Sequence, residues 1–139
     1  MPRAFPAAIA LLLTLGLNAQ DLAPEVQAKF LKILLSSTGQ FGFACADPGF
    51  KAKLEGNGIA VSGGFKMAWA ESEAEAKALK TSGKLVIVPK VAWLKHNGGG
   101  AIAIVEEGGK PQIYINAANV KASGMTLSDT IVKMSKPAN

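Results

Sequence analysis

The chain has 139 residues, with 15 lysines and arginines against 10 aspartates and glutamates, one cysteine and one histidine. Hydrophobic residues make up 49% of the sequence and charged residues 18%, which is typical of a domain with an apolar core and excludes a disordered chain. A single cysteine excludes an internal disulfide and a cysteine-rich zinc site. A single histidine leaves few ways to build a catalytic triad or a transition-metal site.

The first 19 residues have the three parts of an export signal. Arg3, the only arginine in the chain, supplies the positive charge, and an apolar run over residues 5–17 follows it. This run is shorter than the roughly 20 residues that a membrane span requires, and Ala19 suits a cleavage site. We therefore predict a signal peptide over residues 1–19 and one periplasmic domain over residues 20–139, with no later membrane segment. The alternative is an uncleaved anchor.

The predicted mature chain contains no arginine, and its lysines are spread along the sequence. Arginine makes most bidentate contacts with guanine and phosphate, so its absence argues against a nucleic-acid partner. The spread of the lysines predicts a solvated basic surface.

The mature chain begins with a predicted amphipathic helix from Pro24 to about residue 38, because proline suits the first helical turn. Apolar residues with helical spacing define its predicted buried face: Val26, Phe30, Ile33 and Leu34. A short apolar run over residues 40–46 then predicts a buried strand. On that strand Phe41, Phe43 and Cys45 would share one face.

Helices and strands alternate up to residue 89. Asp47 and Pro48 predict the start of one helix, and Ser72 with Glu75 forms a capping box that predicts another. Strands are predicted at 59–61, 65–70 and 84–88. This alternation is typical of a layered α/β domain with some parallel strand pairing.

A β-hairpin is the clearest signal in the last third of the chain. Segments predicted as strands over 101–106 and 110–116 flank Gly108 and Gly109, a pair that suits a two-residue turn. An antiparallel hairpin beside parallel strands makes a mixed sheet. The predicted fold is therefore α/β, a layered domain with a mixed β-sheet flanked by helices and a C-terminal β-hairpin followed by two helices.

The two helices after the hairpin are predicted from their caps. Asn116 is placed to cap a short helix, and Gly124 fits the left-handed position that follows a helix. Thr126, with Asp129 three residues later, predicts the cap of a final helix that continues through Lys136.

Three consecutive glycines, Gly98, Gly99 and Gly100, precede the hairpin and are called the glycine run below. The run lacks the spacing of a phosphate-binding loop and leads into a strand, so we predict a structural role: positive φ and close backbone approach. Trp93 and His96 stand beside it, and we predict that they border a partner or dimer surface. A solvated surface position is the simpler alternative for His96.

Cys45 is the candidate for redox chemistry. Its place on a central strand favours a buried, inert thiol, and the alternatives are a redox sensor or an intermolecular disulfide. The sequence shows no catalytic set and no metal-ligand spacing, so we predict a non-enzymatic protein without a cofactor.

The residues from Gly98 to Lys136 resemble the C-terminal signature of the YfiR/HmsC-like family of periplasmic regulatory proteins. The shared succession is a Gly-Gly before an apolar strand, a hairpin ending in Ile-Asn, an alanine-containing helix, a glycine with an apolar residue, and a final amphipathic helix. The first helix and the strand before Asp47 resemble the family more loosely. The chain departs from the family at residues 36–39, where members carry Trp-Pro, and in its lone Cys45, so control by an internal disulfide does not carry over.

The resemblance implies a regulator that binds protein. Family members are periplasmic repressors that bind the sensor part of an inner-membrane diguanylate cyclase and lower cyclic di-GMP output, and related domains occur beside sensor kinases. The resemblance therefore implies a partner of that kind, and a homodimer. The alternative is a periplasmic small-ligand-binding or receptor-accessory protein, with the glycine run and Trp93 lining the pocket.

Overall fold

The computed structural model of the chain describes residues 20–95 and 98–138, and it confirms the predicted α/β fold with a mixed sheet. The predicted signal peptide over residues 1–19 lies outside the described residues. The strands are β1 Gln20–Asp21, β2 Gly42–Cys45, β3 Ala60–Val61, β4 Met67–Trp69, β5 Leu85–Val88, β6 Ile102–Glu107, β7 Lys110–Ile115 and β8 Ser135–Pro137. The helices are α1 Pro24–Thr38, α2 Pro48–Gly56, α3 Glu73–Thr81, α4 Ala117–Ala122 and α5 Asp129–Met134, with a 3₁₀ turn at Val91–Leu94.

The sheet has the strand order β3-β2-β4-β5-β6-β7-β8, and β1 pairs with β6. The pairs from β3 to β6 are parallel, the β6–β7 hairpin is antiparallel, and β8 runs parallel to β7. The connection through α2 leads from β2 outwards to β3, whereas the connection through α3 leads from β4 outwards to β5. The chain therefore leaves the central β2–β4 pair in opposite directions.

Two apolar layers cover the two faces of the sheet. Along β5, Leu85 and Ile87 face the larger layer, and Val86 and Val88 face the smaller one, as the alternation of a strand requires. Helices α1, α2, α4 and α5 contribute to the larger layer. Helix α3 and the 3₁₀ turn contribute to the smaller layer, so the sheet is the middle of three layers.

Helix α1 forms where it is predicted but buries a different face. Leu34 is fully buried and Val26 and Phe30 are half-buried against the larger layer, whereas Ile33 is 48% exposed, so the predicted apolar face is wrong at Ile33. The buried positions keep the helical spacing in another phase: Gln27, Ala28, Leu31, Leu34 and Leu35. Apolar residues surround much of this helix, and contact with the sheet decides which of them are covered.

Strand β2 starts later than predicted. Phe41 precedes it and is 82% exposed, so the prediction that Phe41, Phe43 and Cys45 share a buried face is wrong for Phe41. Phe43 is fully buried and Cys45 is half-buried. A side chain at Gly42 would collide with the carbonyl oxygen of Ala60 on the neighbouring strand, which explains why the strand begins at a glycine.

The C-terminus differs most from the prediction. Ser128 caps α5, accepting a hydrogen bond from the Ile131 backbone N–H, so the predicted cap at Thr126 is wrong. The helix ends at Met134, and the residues predicted to continue it form β8. Pairing with β7 satisfies backbone groups on that edge of the hairpin, which explains why the chain extends instead of remaining helical. No helix among the described residues is long and apolar enough to cross a membrane.

Candidate functional site

The glycine run, Asn116 and Trp93 meet in one cluster of buried backbone and amide groups, here called the glycine node. The Gly100 N–H donates to the Trp93 carbonyl at 2.9 Å. The Asn119 side-chain amide donates to the Gly100 carbonyl at 2.8 Å, and the Asn116 side-chain amide donates to the Leu94 carbonyl. These bonds attach the 3₁₀ turn and α4 to the strand entry before β6.

Asn116 has two roles in the glycine node. Its Oδ1 accepts from the Asn119 backbone N–H at 3.0 Å and caps α4, while its Nδ2 reaches the Leu94 carbonyl. Both asparagines are buried, so their amides stabilise the fold only because each finds partners. Gly124, with φ of 78°, follows α4 in the left-handed conformation.

The glycine run packs closely against the backbone of the 3₁₀ turn and of α3. Gly99 has φ of 83°, and a side-chain Cβ there would lie 2.6 Å from the Ala76 backbone of α3. A Cβ on Gly98 would collide with the Trp93 backbone, and one on Gly100 would lie 2.8 Å from the Trp93 carbonyl oxygen. Close backbone approach therefore explains all three glycines, and positive φ is required only at Gly99.

Trp93 and His96 were predicted to border a partner surface. Trp93 is half-buried and packs against the smaller apolar layer, and the described part of the chain does not include His96. Trp69, the other tryptophan, is fully buried and stacks on Phe50 with ring centroids 4.6 Å apart. The partner role of Trp93 and His96 stays a prediction.

The environment of Cys45 suppresses thiol chemistry. Burial raises the pKa of the thiol to about 11, and the carboxylates of Asp47, Glu71 and Glu75 act in the same direction. The Sγ atom lies 3.6 Å from the Asp47 carbonyl oxygen, to which it donates. Because the thiolate is the reactive form, this geometry favours the inert thiol over the redox sensor.

We expect iodoacetamide to alkylate Cys45 about 100-fold more slowly in the folded protein than in urea at about pH 8, because burial raises the pKa of the folded thiol to about 11 and so lowers its thiolate fraction. Mass spectrometry over time measures the rate. Equal alkylation rates in both states would contradict the inert thiol.

The folded state favours the protonated Cys45 thiol over the thiolate. The contribution of this thiol to the free energy of unfolding is therefore complete below pH 9.0 and is lost as the pH rises through about 11.

An apolar groove opens between α4, α5 and β8, with a volume of about 460 Å³. Ile115, Val120 and Leu127 are buried side chains on its lining, and Val132 of α5 is 51% exposed at its wall. Lys121 is the charged residue among those that line it. The groove therefore presents apolar surface with one cation at its side.

A polar cluster fixes the β8 side of this groove to the hairpin. The Tyr114 hydroxyl donates to one oxygen of Glu107 at 2.6 Å, and Lys136 of β8 donates to the other oxygen at 2.6 Å. The hydrogen bond from Lys136, followed by that from Tyr114, lowers the pKa of the Glu107 carboxyl. The same bond raises the pKa of Lys136, so the cluster stays charged across the neutral range.

Sequence reasoning did not find the groove. The final helix was predicted to continue through Lys136, whereas the chain turns into β8 after Met134 and leaves Val132 half-exposed at the wall of the groove. The available signal was the apolar pair Met125 and Leu127 between two helices, where a solvated loop would carry polar residues.

The chain matches no protein-family model and no curated protein. The resemblance to the YfiR/HmsC-like family therefore stays a prediction, and the function has to be argued from the residues of the chain.

Proposed function

We propose that this chain is a non-enzymatic periplasmic regulator of the YfiR/HmsC-like kind, which binds the periplasmic part of an inner-membrane diguanylate cyclase or sensor kinase and modulates its output. The observation that supports the proposal is the apolar groove between α4, α5 and β8, with half-exposed Val132 at its wall. Rimmed apolar surfaces of this kind are typical of protein interaction sites.

The groove suits an amphipathic segment of the partner. Apolar side chains from successive turns of a helix would contact Ile115, Leu127 and Val132, in the helix-in-groove mode of recognition. An acidic side chain beside them would pair with Lys121, the cation of the lining. We therefore propose as the occupant an apolar segment with an acidic flank in the partner's periplasmic part.

Such a protein regulates without chemistry. A bound regulator shifts its partner between two conformations only as far as it binds one of them more tightly than the other. The proposed output, a change in cyclase or kinase activity, would then follow from differential affinity at the groove.

Replacement of Val132 by glutamate is expected to reduce capture of the signalling protein by about tenfold or more, because a carboxylate would be desolvated at an apolar contact. The matched control is Thr130→Glu, an exposed position on α5 that does not line the groove. The tagged protein is used as bait on detergent-solubilised inner membranes, and mass spectrometry quantifies a captured diguanylate cyclase or sensor kinase.

Two results would contradict this assignment. Equal capture by both glutamate variants would remove the groove from the partner interface. A mass in solution that falls from dimer to monomer only in Val132→Glu would show instead that a second copy of the chain covers the groove. Folded content, measured by circular dichroism, has to be equal in the two variants for the comparison to count.

A further inference from the structure

A second cavity, of about 380 Å³, lies where the parallel strands of the sheet end. Asp47 follows β2, Glu71 follows β4 and Pro89 follows β5, and all three line the cavity, which we call the polar crevice. The chain leaves β2 and β4 in opposite directions, so the polar crevice lies at a topological switch point. In open α/β sheets, ligands bind in the crevice outside the carboxyl ends of the strands at such a point.

Within residues 20–95 and 98–138, the polar crevice carries more carboxylates than ion pairs account for. Two of its charged groups are paired: Lys53 with Glu25 at 2.8 Å, and Asp21 with Lys90 at 2.9 Å. Asp47 and Glu71 form no ion pair within residues 20–95 and 98–138. A local excess of two carboxylates on a chain with formal charge of +5 favours a cationic ligand.

Both carboxylates are held in place by one oxygen each. Asp47 Oδ2 accepts from the Phe50 backbone N–H at 2.8 Å, and Glu71 Oε2 accepts from the indole N–H of Trp69. Cys45 and Trp69 are register partners in β2 and β4, so Asp47 and Glu71 each stand two residues beyond the same point of the sheet. No described residue donates a hydrogen bond to the second oxygen of either carboxylate, so each second oxygen could accept from a ligand.

Gln27 gives an independent indication of a ligand. It lines the polar crevice, is only 6% exposed, and lies on the buried face of α1 among apolar neighbours. Its side-chain amide forms no hydrogen bond with residues 21–95 and 98–138, although buried side-chain amides normally have partners. Within the part of the chain that the structure describes, the Gln27 amide therefore offers the polar crevice a donor and an acceptor that have no protein partner.

We propose that the polar crevice binds a small organic cation, a primary ammonium compound with an apolar body and a hydrogen-bonding group. The ammonium group would lie between Asp47 and Glu71, and the apolar body would pack against Phe50 and Pro89, both of them buried on the lining. Gln27 would bond the remaining polar group. Among the described residues no three metal-ligating side chains cluster, which favours an organic cation over a metal ion.

This inference does not depend on the proposed function, because the polar crevice and the apolar groove share no lining residue. Capture of a signalling protein tests the groove, whereas titration with a small molecule tests the polar crevice. A failure of either proposal is thus distinguishable from a failure of the other.

The test is a calorimetric titration of the purified protein with tyramine, an ammonium compound with an aromatic body and a hydroxyl. Its carboxylate counterpart, hydroxyphenylpropionate, has a similar body and the opposite charge. We expect saturable tyramine binding and at least about tenfold weaker binding of the anion. No saturable binding of tyramine at millimolar concentration, or equal affinity for both compounds, would overturn the proposal.

Three variants locate the binding. Asp47→Asn keeps a cap for α2, and Glu71→Gln keeps an acceptor for the Trp69 indole, so both remove charge with little change to the fold. Each is expected to weaken tyramine binding by about tenfold. The control is Glu55→Gln on the exposed side of α2, which is expected to bind as the unchanged protein does. Unchanged affinity in both crevice variants would overturn the assignment.

Discussion

Replacement of Gly99 by alanine is expected to lower the free energy of unfolding by at least about 3 kcal/mol, since two separate penalties meet at this residue. Its φ of 83° is unfavourable for any residue with a side chain. Its added Cβ would also lie 2.6 Å from the carbonyl of Ala76 and 2.6 Å from the backbone nitrogen of Lys77, which belong to α3 and are rigid. Helix α3 would have to move away from the sheet to admit one methyl group.

Gly83→Ala is the matched control for this prediction. Gly83 has a similar φ of 88°, but no atom lies within 4 Å of its added Cβ, so only the backbone penalty of about 1 kcal/mol applies. Urea denaturation followed by circular dichroism gives both free energies of unfolding. Equal losses in the two variants would mean that the close approach of the glycine run to α3 contributes nothing.

Local signals predicted most of the fold. Asp47 caps α2 by accepting from the Phe50 N–H, and Ser72 caps α3 by accepting from the Glu75 N–H, as their sequence patterns indicate. The hairpin turn forms at Gly108 and Gly109, both with positive φ. These features depend on residues within four positions of one another, so the sequence pattern contains the information that decides them.

The failed predictions depend on distant parts of the chain. The residues of β8 have no strand pattern of their own, and they extend because the edge of β7 offers backbone partners. The buried face of α1 is decided by contact with the sheet, which exposes Ile33 and covers Gln27. A pattern of apolar residues predicts that a helix has a buried face but does not identify that face when apolar residues surround most of it.

The two cavities also depend on contacts between distant parts of the chain. The polar crevice brings together residues from the starts of α1 and α2 and from the ends of three strands, so its composition depends on strand order. Asp47 and Glu71 are visible in the sequence only as a helix cap and a neighbour of a capping box. The glycine node could be predicted in part, because three consecutive glycines indicate close backbone approach, but the hydrogen bond from Asn119 of α4 to Gly100 could not.

The glycine node also positions the proposed partner site. Asn116 begins α4, whose residues Ala117, Val120 and Lys121 line the apolar groove. The same side chain attaches α4 to the 3₁₀ turn through the Leu94 carbonyl. A change at Asn116 is therefore expected to affect both the stability of the fold and the geometry of the groove.

Asn116→Ala is expected to lower the free energy of unfolding by about 2–4 kcal/mol. Loss of the cap of α4 contributes about 1 kcal/mol of this. The Leu94 carbonyl would lose its donor in a buried site, which contributes about 1–3 kcal/mol more. Asn116→Ser separates the two effects, because serine caps a helix but is too short to reach Leu94. Its expected loss is about 1–3 kcal/mol, smaller than that of alanine.

The control for Asn116 is Ser72→Ala, which removes a cap of the same kind at an exposed position on α3. Its expected loss is about 1 kcal/mol, the value of an exposed cap alone. Urea denaturation of the three variants under one set of conditions gives the comparison. If Asn116→Ala lost no more stability than Ser72→Ala, the hydrogen bond to Leu94 would add nothing, and α4 would have to be held in place by the packing of Val120 and the bond from Asn119 to Gly100.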